Sequence, residues 1–132
     1  MTDRDKTEYV LAKILQHLSE RGVRHGLLTV SDLMLDKEIY GNFFGPCLKW
    51  LEAEGLIRTN EIVEYVNEPA VALDPCLTSI GMNVLEQEIT VGNTREKLSE
   101  TVEKVSNEQT GLHKIGDLIS GILGGFTKSI GS

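Results

Sequence analysis

Leu48-Lys49-Trp50-Leu51-Glu52-Ala53-Glu54-Gly55-Leu56-Ile57 is the stretch on which the fold of this 132-residue chain turns. Phe44, Cys47, Leu48 and Leu51 recur at i, i+3, i+4 and i+7, the spacing that lines one face of a helix. Glu54-Gly55 ends that helix, because glycine reaches the left-handed backbone of a helix exit without steric cost. Leu56-Ile57 then turns back toward the core as the pattern changes to strands. Pro46 has no N–H and clashes with the preceding turn, so the helix is expected to begin near Asn42 or Phe43. That start keeps the proline in or beside the tolerant first turn.

Upstream, Leu11, Ile14, Leu15 and Leu18 form a second helical stripe, with Asp5 and Glu8 as a capping pair and Gly22 as the stop. Leu27-Leu28-Thr29-Val30 is short and strand-like, and Ser31 is placed to cap a brief second helix through Leu35. Asp36-Lys37-Glu38 is expected to be the turn after it. Downstream, residues 61–66 and 70–73 read as strands around the turn Asn67-Glu68-Pro69, and residues 77–85 begin a further helix.

The paired leucines Leu48 and Leu51, the acidic Glu52 and Glu54, and Gly55-Leu56-Ile57 are followed a wing's length later by Leu77-Thr78, Gly81 and Leu85. In that order the two marks resemble the winged helix-turn-helix superfamily over roughly residues 6–90, with no subfamily singled out. The resemblance implies an α+β, mostly α fold: three helices, and a two-stranded β-wing that closes the side they leave open. Residues 1–90 are expected to form that domain, and residues 91–132 a helical C-terminal arm.

In that superfamily the third helix usually enters the major groove, which needs Lys and Arg for phosphates and polar side chains for base edges. Arg21, Arg24, Asn42 and Lys49 are the residues here that would serve. Charge argues against the role. The net charge is −7, residues 59–90 hold six acids and no Lys or Arg, and four of those acids lie in the wing from Thr59 to Leu77, which would repel a phosphate backbone. The exposed face of the third helix instead carries Phe43, Pro46 and Trp50 at i, i+3 and i+7, a second apolar stripe suited to a protein partner.

The arm supports the same reading. Leu98, Val105, Leu112, Ile119 and Phe126 recur every seven residues, a seam that asks for a partner helix, either in a second copy or at the chain's own stripe of Phe43 and Trp50, with Gly111 breaking it into segments. Leu112, Ile119 and Phe126 therefore join Phe43, Pro46 and Trp50 as expected partner contacts. Asn93 and Glu96 read as the capped start of the arm helix. From Gly111 onward the chain is apolar on one face and rich in glycine, a pattern for close helix packing or for a membrane surface.

No phosphate loop, GxSxG or HExxH occurs, and His17, His25 and His113 stand at no metal-ligand spacing. A non-enzymatic protein with no metal or cofactor is expected. Met1 leads into polar residues, and Cys47 and Cys76 form no CxxC, so a cytoplasmic setting with reduced thiols is expected. The sequence points to an interaction module that self-associates as a dimer or larger, or binds another protein. A dimeric DNA-binding transcriptional regulator and a membrane-surface protein are the alternatives.

Overall fold

Thr2 sets the start of the chain's first helix. In the computed structural model, which describes residues 2–108 and 115–131 (side chains 2–107 and 115–124), α1 spans Asp3–Arg21. Thr2 Oγ1 accepts from the Asp5 N–H at 3.1 Å, and Asp5 Oδ2 accepts from the Thr2 N–H at 3.0 Å. The capping box thus lies one turn before the expected Asp5–Glu8 pair, which leaves the Glu8 side chain free for the interior. Gly22 stops the helix as expected, at φ 72°.

The second segment is shorter than expected. After β1, Leu27–Leu28, a single 3₁₀ turn covers Ser31–Leu33, with Val30 and not Ser31 at its start. The residues expected to be the next turn belong to a helix instead: Asp36 is the N-cap of α2, Lys37–Ala53, and accepts from the Glu38 N–H at 2.9 Å. A well-formed aspartate cap outweighs the proline as a start signal. Pro46 consequently sits inside α2, where it forfeits the hydrogen bond to the Asn42 carbonyl at a cost of about 3 kcal/mol.

The remaining strands are short. They are β2, Ile57–Arg58; β3, Glu61–Val63; β4, Val71–Leu73; and β5, Cys76–Leu77. β3 stops three residues before the expected end at 66. The first sheet is antiparallel in the order β1-β4-β3, with Leu27 opposite Leu73 and Ile62 opposite Ala72. β2 pairs separately with β5.

Helix α3, Ser79–Glu86, is capped by Thr78, whose Oγ1 accepts from the Gly81 N–H at 3.0 Å and donates to the Gly55 carbonyl at 2.5 Å. Gly55 and Thr78, 23 residues apart, are therefore in direct contact.

The arm differs from expectation at its start. Residues 88–97 form a hairpin of β6, Glu88–Val91, and β7, Thr94–Lys97, turning at Gly92-Asn93 with φ 62° at Gly92. Asn93 is a turn residue, not a helix cap, because glycine before asparagine suits a two-residue hairpin loop. Helix α4, Leu98–Glu108, follows directly, and α5 spans Ile115–Gly131. The expected break at Gly111, and Leu112, lie outside the described residues, as does the side chain of Phe126.

One core joins both parts of the chain. α1 packs against α2, α4 and α5, and Val10, Leu15 and Leu48 share a cluster with Leu98, Val105, Ile115 and Ile119. Ile119, expected at a partner contact, is fully buried in the chain's own interior. The fold is α+β and mostly helical, with small antiparallel sheets. No helix among the described residues is long and apolar enough to cross a membrane.

Two glycines separate packing from propensity. A Cβ on Gly81 would overlap the Leu56 backbone carbonyl, whereas one on Gly121, exposed in α5, meets nothing within 4 Å. In thermal or urea unfolding, Gly81→Ala is expected to destabilise by about 3 kcal/mol or more. Gly121→Ala is expected to stabilise by up to about 1 kcal/mol.

Candidate functional site

α2 presents two different faces. Gly41 and Gly45, one turn apart, lie under the β3–β4 loop: a Cβ on either would come within 3.1 Å of Pro69 Cγ or Ala70 Cβ. A side chain at either position would press the loop outward by a few tenths of an ångström. The contact brings the acids of the loop onto the lysines of the helix, as Lys37 pairs with Glu68 at 3.7 Å and Lys49 with Glu64.

That arrangement decides how the four expected nucleic-acid contacts stand. Lys49 is ion-paired by the loop. Asn42 is exposed two turns earlier in the same helix. Arg21 donates to the Gly26 carbonyl at 2.8 Å and the Leu27 carbonyl at 3.0 Å, tying the end of α1 to β1. Arg24 is exposed in the same connection and donates to the His25 carbonyl at 3.4 Å. Of the four, Arg21 ties two elements together by hydrogen bonds, and Lys49 stands in an exposed ion pair.

On the other side of α2, Phe43, Pro46 and Trp50 come together as their spacing implies. They form one wall of a groove of about 540 Å³, with Glu8 and Leu11 of α1 and Gly116 of α5 opposite. Phe43 and Trp50 are half-buried against the core, and Pro46 is exposed at the rim. The Lys6 ammonium stands 5.8 Å from the centre of the Phe43 ring, a cation–π distance. Arg4 and Asp117 close one end through an exposed ion pair at 2.8 Å.

Glu8 is the unexpected member. It is 6% exposed, and its Oε2 accepts from the Gly116 N–H at 3.0 Å, at the N-terminus of α5. Helix N-termini favour such a negative charge. Burial nevertheless dominates: it raises the carboxyl above its ordinary range, against the opposing N–H groups of Gly116 and Ile115 and the charge of Arg4. Cys47, on the core stripe as expected, feels both effects. Its thiol is pushed up to about 12, first by burial and then by Glu8, so it is an inert core group.

The sequence carried a signal for Glu8. Glu8, Leu11, Leu15 and Leu18 fall at i, i+3, i+7 and i+10, on the core stripe of α1. The capping role assigned to Glu8 hid it. Likewise Gly41 and Gly45, four apart in a helix, are a mark of close approach.

Compared with known proteins, the chain matches no family model, no curated protein and no solved structure.

Glu8 makes a pH prediction with a definite sign. Above the ordinary glutamate value of 4.5, the folded chain holds a proton here more tightly than the unfolded chain. The contribution of Glu8 to stability therefore falls as pH rises through that window, and stays low above the folded pKa. Glu8→Gln removes the titration. Urea titrations of both proteins should give a stability difference, variant minus wild type, that grows from pH 4 to pH 7. A constant difference would show that the Glu8 carboxyl titrates alike folded and unfolded.

Proposed function

We propose that this chain is a non-enzymatic winged-helix module that works by protein association through the α2 groove. The winged-helix reading is supported by the element order, helix, strand, short turn, helix and hairpin, and by β1 lying next to the returning strand β4. The contact of Thr78 with Gly55 supports it too, since it ties the exit of the long helix to the helix after the wing.

The observation that carries the functional reading is the gathering of Phe43, Pro46 and Trp50 at one groove beside α5. Aromatic side chains that are only partly covered are the usual anchors of protein interfaces. Duplex binding has the opposite support. The β3–β4 loop carries Glu64 and Glu68 onto Lys49 and Lys37, so cations that could neutralise phosphates are already neutralised.

Two measurements test the reading. Fluorescence anisotropy against mixed-sequence duplex DNA, at low and moderate salt, should show no saturable binding at micromolar protein. Tight binding that weakens steeply with salt would restore the DNA-binding regulator. Sedimentation equilibrium should show the wild type self-associating and Trp50→Glu weakened by about 2 kcal/mol, roughly thirtyfold. Equal association of the two proteins would remove the groove from the interface.

A further inference from the structure

The groove between α1, α2 and α5 has a feature that protein docking does not explain: an acid at its inner wall. Glu8 is 94% buried by its 6% exposure and has no ion-pair partner among the described residues. The nearest candidate, Arg4, is engaged by Asp117 at 2.8 Å on the exposed rim. The N–H groups of Gly116, at 3.0 Å, and Ile115 face the carboxylate, which has about four acceptor positions, and neither carries a full charge. A buried charge without a counter-charge is costly, and in most proteins it is paired.

The rest of the groove is built to receive what Glu8 lacks. Its volume of about 540 Å³ is that of a small-molecule site and not of a water cleft. Phe43 and Trp50 line it, and an aromatic ring attracts a cation as well as an apolar body. Lys6 already uses one face of Phe43 in this way, at 5.8 Å. We infer that the groove is a binding site for a small organic ammonium, its apolar body between Phe43, Pro46 and Trp50 and its charged nitrogen donating to the Glu8 carboxylate. Complementarity of charge selects this occupant over a neutral one, and the volume of the groove accommodates a free small molecule.

The inference goes beyond the docking function and does not depend on it, because it needs only the groove. Sedimentation reads docking, and direct titration reads the ligand, so either can fail alone. The probe is phenethylammonium, with phenethyl alcohol as its uncharged counterpart. Binding is followed by the fluorescence of Trp50, the chain's only tryptophan, and by the amide resonance of Gly116.

The amine is expected to bind the full chain about tenfold more tightly than the alcohol, with both signals moving together. Glu8→Gln keeps an acceptor for the Gly116 N–H but removes the charge. It should cost the amine about tenfold and leave the alcohol unchanged. Equal affinities for amine and alcohol in the wild type would overturn the inference. So would amine binding that survives Glu8→Gln, or shifts confined to residues away from the groove. If Glu8→Gln does not fold, the wild-type preference and the Gly116 resonance decide.

Discussion

Helix α1 is buried on more than one side, and the rest of the chain is arranged to make that burial complete. Residues 8 to 12 are consecutive and all buried, as are Ile14, Leu15 and Leu18. A helix against one sheet or one neighbour hides a single stripe, so five consecutive buried positions require packing around its circumference. α2, α4 and α5 supply it. Each fully buried aliphatic side chain is worth about 1.5–3 kcal/mol, and Leu98, Val102, Val105, Ile115 and Ile119 all come from the arm. The arm is thus part of the core that the first ninety residues begin. The arrival of α5 beside the first turns of α1 also buries Glu8 and forms one wall of the groove.

A second close contact controls the surface electrostatics. Gly41 and Gly45 let Pro69 and Ala70 lie against α2, and from that registry follow the pairs Lys37–Glu68 and Lys49–Glu64. Exposed pairs of this kind contribute little to stability. Their effect is on the field outside the protein: α2 offers a partner neither a run of free lysines nor an open acidic loop. What remains accessible on its other side is apolar, at Phe43, Pro46 and Trp50.

Much of this was legible in one dimension. Phe44, Cys47, Leu48 and Leu51 announced the buried face of α2, and the exit at Gly55-Leu56-Ile57 stands where the spacing placed it. Phe43, Pro46 and Trp50 were grouped by period alone, and they share the groove. The errors came where a local signal was overruled by a stronger one nearby. Asp36 nucleates α2 despite Pro46, and Gly92-Asn93 makes a hairpin where Asn93 and Glu96 imitate a helix start. The seven-residue repeat was real in Leu98, Val105 and Ile119, and in the structure these residues are buried in the chain's own core. Periodicity tells which residues are covered and is silent about what covers them. Glu8 stands on the core stripe of α1 but imitates a capping residue, and the helix that covers it, α5, lies more than a hundred residues away.

Two departures from the rules of stable folding meet at the groove. Pro46 interrupts the hydrogen bonding of α2 at an exposed position, at a cost of about 3 kcal/mol. Glu8 keeps a carboxyl in the interior, where burial works against its charge. A sequence shaped only by stability would place an ordinary helix former at the first position and an apolar or amide side chain at the second. Residues that work against the fold are expected where they serve something else, and perturbed ionisable groups concentrate at functional sites. Two such residues line one groove together with the half-covered Phe43 and Trp50. Their meeting in one place distinguishes this groove from the rest of the described surface.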